Sequence, residues 1–128
     1  MAYYLAKKIS LAFTDAVEKV VEELQKEGFG VITQIDVRET LKKKLDVDYP
    51  KYKILGACNP PLAYKALSVD PLIGVLLPCN VVVYENSSGN TVVSAIDANA
   101  MLGVVERSDI KPIADEVNKK LQIVLENV

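Results

Sequence analysis

The sequence has no histidine and no tryptophan among its 128 residues. Without imidazole, the Ser-His and Cys-His nucleophile pairs are unavailable, as is the commonest nitrogen ligand for zinc or copper. Cysteine is sparse: Cys58 and Cys79 are the only two. Thiols so few fit a reducing, cytoplasmic setting better than a disulfide scaffold. The stretch from Met1 to Ser10 sets lysines after a brief apolar run and lacks a small-residue cleavage motif, so it does not read as a secretory signal. Long hydrophobic runs are also missing. The longest, Leu72 to Tyr84, is interrupted by Gly74, Pro78 and Asn80 and is too short to cross a bilayer. Charge of one sign is not in excess either, because the formal net charge is only -2. Neither nucleic acid nor an anionic membrane is therefore an expected partner. Lys42, Lys43 and Lys44 form the only basic run, which reads as a solvated helix face.

What is present is an ordinary globular composition, 50% hydrophobic and 25% charged. A chain of this length makes one domain, residues 1–128, and buries enough surface to need no disulfide or metal staple. A first strand is expected over residues 2–9. A helix follows, with Phe13, Ala16, Val17, Val20, Val21 and Leu24 on one face, Ser10 or Thr14 as its cap and Gly28 at its end. Residues 29–35 read as a β-branched strand. Asp36 and Glu39 make a capping-box pattern for a short helix that carries Val37, Leu41 and Leu45 inward.

After a turn at residues 46–50 comes a strand over residues 52–58. Asn59-Pro60 is a helix start, because Asn accepts from first-turn amides and Pro at the first position gives up no useful donor. Leu62, Ala63, Ala66 and Leu67 are expected to face the core from that helix. Asp70-Pro71 and Gly74 mark a turn, a long strand runs over residues 75–85, and the loop 86–90 returns it through residues 91–97 as a hairpin. Residues 98–107 read as an irregular connection. Ser108 or Asp109 caps a last helix with Pro112 in its first turn and an apolar stripe from Ile110 to Leu125. The fold class is α+β: an antiparallel sheet packed by two long helices and some short ones.

The hairpin decides the expected assembly. If Tyr84 pairs with Thr91, one face carries Cys79, Val81 and Val83 beside Val92, Ser94 and Ile96, with Cys79 opposite Ile96 and Pro78 opposite Asp97. The other carries Asn80, Val82 and Tyr84 beside Thr91, Val93 and Ala95. Neither face is hydrophilic enough to be left in water, and two helices cover one side only. A second copy of the chain is the expected cover; the alternative is that residues 46–52 and 98–107 fold over it.

Two stretches are the least generic: Gly56-Ala57-Cys58-Asn59-Pro60-Pro61-Leu62-Ala63 and Leu76-Leu77-Pro78-Cys79-Asn80-Val81. With the opening helix, Gly28-Phe29-Gly30-Val31 and Ser94-Ala95-Ile96-Asp97, they make the chain resemble domain-of-unknown-function family 302 over nearly its whole length. The resemblance implies a strongly curved antiparallel sheet similar to the TATA-binding-protein fold, one copy per chain, assembled as a homodimer. It implies no activity. The nucleic-acid function that this fold suggests is not expected here, since the hairpin offers almost no lysine or arginine.

Cys58 precedes a helix N-terminus, where the dipole favours a thiolate, although free cysteine also packs commonly as a small hydrophobe. Pro78 within a strand implies an edge or a bulge beside Cys79. A cleft lined by Cys58, Asn59, Cys79, Asn80 and Asp97 is accordingly expected as a ligand site. Against it stand a helix-capping Asn59 and an Asn80 that satisfies irregular backbone. Three functions compete: a homodimeric module binding a small molecule or anion near the Cys-Asn pairs; thiol redox or soft-metal binding by Cys58 and Cys79; and an assembly protein without an active site. No acid-base pair is recognisable, so catalysis is the least favoured reading. No catalytic residue, metal centre or cofactor is assigned.

Overall fold

A computed structural model describes residues 2–128; Met1, part of the stretch tested above as a signal, lies outside the described residues. The elements follow in the order β1 (Tyr4–Ile9), α1 (Phe13–Lys26), β2 (Gly30–Asp36), α2 (Val37–Leu45), β3 (Tyr52–Cys58), α3 (Pro60–Val69), a 3-10 helix (Pro71–Leu76), β4 (Cys79–Glu85), β5 (Thr91–Ile96), α4 (Ala98–Gly103) and α5 (Lys111–Glu126). The strands form one five-stranded sheet in the order β1-β5-β4-β3-β2. Every neighbouring pair is antiparallel. The α+β expectation holds.

Several local expectations are corrected. Neither Ser10 nor Thr14 caps α1; Ala12 occupies that position without a side-chain bond. Ser108 and Asp109 do not cap α5 either, since its flanking residue is Ile110. Residues 71–76 wind into a 3-10 helix, Asp70 accepting from the Leu72 amide, so the long strand starts at Cys79 rather than Val75. Pro78 precedes that strand, where its missing amide costs no ladder bond, and β4 is neither edge nor bulged. The bulge lies in β2, between Val31 and Thr33. Residues 98–103 are helical, not irregular, because Asp97 caps α4 by accepting from the Ala100 amide at 3.1 Å. Leu45 is 66% exposed and α2 buries no residue, so its apolar positions cover little core; Leu67 is exposed too.

The hairpin register differs from the expected one by a single residue. Glu85 pairs with Thr91 and Tyr84 with Val92, so neither the Cys79–Ile96 nor the Pro78–Asp97 opposition forms. The loop explains the shift. Asn86 donates its amide to the Asn90 carbonyl at 2.9 Å, and its side-chain oxygen accepts from the Ser88 and Asn90 amides. Gly89 supplies the required left-handed backbone, with φ +79. This closure holds Asn86 and Asn90 outside the ladder and brings Glu85 opposite Thr91.

A one-residue slip exchanges faces. Cys79, Val81 and Val83 now share a side with Val93 and Ala95, and with Leu55 and Ala57 of β3. That side is the core. Val20 and Leu24 of α1 and Leu121 and Val124 of α5 are almost wholly buried with it. The opposite side carries Tyr4, Ala6 and Lys8, then Val92, Ser94 and Ile96, Asn80, Val82 and Tyr84, and Tyr52, Ile54 and Gly56. Neither α1 nor α5 covers it. Of the segments expected as alternative cover, residues 46–51 are exposed coil that reaches this face through Tyr49, its ring centroid 6.2 Å from that of Tyr52, and α4 packs against α5.

Lys7 stands on the helix-covered side of edge strand β1. Its Nζ donates to the main-chain oxygens of Leu125 at 3.1 Å, Glu126 at 3.4 Å and Val128 at 3.0 Å. A cation there satisfies orphan carbonyls and complements the negative end of the α5 dipole. Replacement Lys7→Met keeps the aliphatic stem and loses these bonds. Urea denaturation is expected to show about 1–2 kcal/mol less stability, with an unchanged m-value.

Candidate functional site

The cavity of interest lies at the end of the sheet where β3 runs into α3 and the 3-10 helix runs into β4. It has a volume of about 220 Å³. Its floor is Ala57 and Cys79, paired across β3 and β4. Leu62, Ala63 and Ala66 of α3 form one wall, Met101 and Leu102 of α4 with Ile113 and Val117 of α5 another, and Phe29, Ile32, Cys58, Leu77 and Pro78 complete the lining. Asn59 is the one amide side chain in the lining.

The space exists for a local reason. Ala63 and Ala66 lie three residues apart on one face of α3 and oppose Ala57 on the sheet, so small side chains meet where large ones would fill the gap. On the opposite side of the sheet from the cavity floor, the Pro78 ring and the Thr33 side chain close over Gly56, where an added Cβ would collide with both. Ile32, in the β2 bulge, stands 62% exposed at the entrance.

The five residues expected to share one cleft do not all meet. Cys58, Asn59 and Cys79 line this cavity, whereas Asn80 and Asp97 do not. Asn80 follows Cys79 in a strand, where successive side chains point to opposite faces, so it lies exposed on the uncovered side. Asp97 is held in a capping network. Its Oδ1 accepts from the Ala100 amide and from Asn118 Nδ2, both at 3.1 Å, and Asn118 Oδ1 accepts from the Ala98 amide at 2.6 Å. Partial burial pushes the Asp97 carboxyl up, but bonds from Asn118 and the Ala100 and Asn99 amides outweigh it and hold the group below its usual value. These contacts dock α4 on α5.

Asn59 serves structure as well as lining the cavity. At 8% exposure, its Oδ1 accepts from the Leu62 amide at 3.5 Å and its Nδ2 donates to the Glu27 carbonyl at 3.3 Å. One side chain thus caps α3 and ties it to the end of α1. Gly28 leaves room for it: its φ is +84, and a Cβ there would come within 3.2 Å of Asn59 Nδ2.

The two sulfurs are unlike. Burial drives the Cys79 thiol up to about 11, with a smaller contribution from nearby Cys58, so it stays protonated at neutral pH. Ala57 shares the core side with Cys79, so its neighbour Cys58 belongs to the opposite side of the sheet. The sulfurs border one cavity from two sides.

The apolar lining was the part missed by sequence reasoning. Its only signal was the alanine spacing in α3, and that shows a void only when the opposing strand and helices are placed.

Fold and site define an α+β domain whose antiparallel sheet is packed by helices on one side and holds an apolar cavity at its end. Among the described residues no cluster of three or more Cys, Asp or Glu could hold a metal ion, and no helix is long and apolar enough to cross a membrane. The chain belongs to the family described as Domain of unknown function DUF302, whose sequence profile matches residues 5–128. A solved structure, that of an uncharacterized conserved DUF302 protein from Bacillus stearothermophilus, is 30% identical, covers 99% of this chain and 98% of its own, and superposes with a TM-score of 0.93. No curated protein matches the chain.

Unequal sulfurs should give unequal reactivity. At pH 8 a thiol of pKa near 11 is only about one part in a thousand thiolate. An aromatic disulfide reagent is expected to modify Cys58 first and Cys79 only after denaturation or at strongly alkaline pH. Equal native-state rates would refute this.

Proposed function

We propose that the protein is a homodimeric binding module for a small, largely apolar molecule held in the cavity beside Cys58 and Cys79. The supporting observation is the cavity itself: about 220 Å³ of space with apolar walls, opening beside exposed Ile32. Engineered apolar cavities of roughly 150 Å³ stay dry and accept benzene, so this one has room for a ring with a small substituent. An anion is disfavoured by the same lining, because nothing there offsets the desolvation of a charge. Thiol redox or soft-metal binding draws less support, since the sulfurs belong to opposite sides of the sheet and Cys79 resists ionisation.

The fluorine-19 spectrum of fluorobenzene is expected to shift and broaden when protein is added. Ala66→Leu, which projects a larger side chain into the cavity, is expected to abolish that response while the circular dichroism spectrum persists. If fluorobenzene responds equally to both proteins, the cavity is not its site.

The dimer reading draws support from the uncovered side of the sheet. Val82, Ile96 and Tyr84 are only half-buried there, and Tyr52 stacks on Tyr84 with ring centroids 5.2 Å apart. Among the described residues, Lys8 is the sole formally charged strand residue on that side, at its margin. A second copy meeting this surface would bury apolar area at about 25 cal/mol per Å² with little charge to desolvate. Val82→Asp is expected to convert a dimer into a folded monomer in sedimentation velocity at micromolar concentration. A monomeric parent protein would end the proposal.

A further inference from the structure

The cavity lining is apolar but not uniformly aliphatic. Three of its groups are polarisable and come from separate parts of the chain: the Cys79 thiol on the floor, the Met101 thioether in the α4 wall, and the Phe29 ring just ahead of β2. Cys79 is only 6% exposed, and among the described residues no hydrogen bond engages its sulfur. Burial raises this thiol to about 11, so the floor presents a neutral S–H and not a thiolate. A weak donor, buried and without an acceptor, therefore borders a space whose other walls are mostly hydrocarbon.

Resting on the cavity reading above, we infer that the ligand class is aromatic: a benzene-sized ring in contact with Cys79, Met101 and Phe29. Ala57, Ala63 and Ala66 set how much room there is, and an aliphatic ring of equal size uses that room as well. The three polarisable groups tell the two rings apart. An aromatic π face accepts a weak hydrogen bond from S–H, and a thioether sulfur and a neighbouring ring both gain from contact with it. An aliphatic ring offers the thiol no acceptor. A strong acceptor such as a carbonyl is disfavoured, because its loss of water costs more than one weak S–H bond returns.

The test compares fluorobenzene with fluorocyclohexane, a ring of similar size without π electrons, on the whole chain. Fluorine-19 titrations give both dissociation constants for the parent, for Met101→Leu and for Cys79→Ala. A change in cavity shape affects both probes, so the ratio of the two constants isolates the sulfur contacts. Each substitution is expected to lower the preference for fluorobenzene by about threefold. Carbon-13 in the methionine methyls labels Met1 and Met101 alone. The resonance that disappears in Met101→Leu is expected to shift more with fluorobenzene than with fluorocyclohexane, through the ring current. Met101→Leu nearly conserves volume and decides the matter by itself if Cys79→Ala does not fold. A ratio unchanged by substitution, or a Met101 methyl that responds equally to both probes, would overturn the aromatic class and leave the cavity reading intact. No response from either probe would remove the cavity reading, and the ligand class with it.

Discussion

Everything in this fold depends on which side of the β4–β5 hairpin meets the helices. Val81, Val83, Val93 and Ala95 project together only because Glu85, not Tyr84, stands opposite Thr91. Those side chains receive Val20 and Leu24 from α1 and Leu121 and Val124 from α5. A slip of one position would send Ser94 and Ile96 to the helices beside Val81 and turn Val93 and Ala95 away from them. The loop bonds of Asn86 and the left-handed Gly89 guard against that slip. The hydrophobic difference between the faces strengthens the same choice.

How far the sequence disclosed this architecture varies from element to element. The stripes of α1 and α5 and the β-branched runs of β2 and β5 carry strong periodicity, and their expected positions agree closely with the structure, whereas β4 begins at Cys79 instead of Val75. The register was not legible, because Thr91 and Val92 both suit a strand and loop hydrogen bonds decide between them. Asp97 was read as a ligand residue and the segment after it as irregular; it caps α4 by accepting from the Ala100 amide, and Asn118, which also donates to it, lies in another helix. Pro78 was read as marking an edge or a bulge, but it stands just ahead of a central strand. The register is decided by bonds within residues 86–90, whereas the Asn118 bond to Asp97 joins residues distant in sequence.

The candidate site was legible in its location and not in its character. Cys58, Asn59 and Cys79 do border one cavity, as their odd local settings suggested, yet Asn59 is occupied in joining α3 to α1 and Asn80 belongs to the other side of the sheet. Polar residues drew attention because they are rare in such surroundings. The space itself follows from the opposite property, the smallness of Ala57, Ala63 and Ala66, which becomes meaningful only once strand and helix face each other.

The clasp that Lys7 forms on the last carbonyls of α5 has a consequence for biogenesis. Strand β1 pairs with β5, and its lysine binds residues 125–128, so residues 4–9 gain their sheet neighbour only after β5 has been synthesised and their lysine contacts only after α5. During translation the sheet can grow from β2 through β5 while residues 4–9 stay unattached. Docking of β1 then covers the exposed edge of β5 and clasps the end of α5 in one motion.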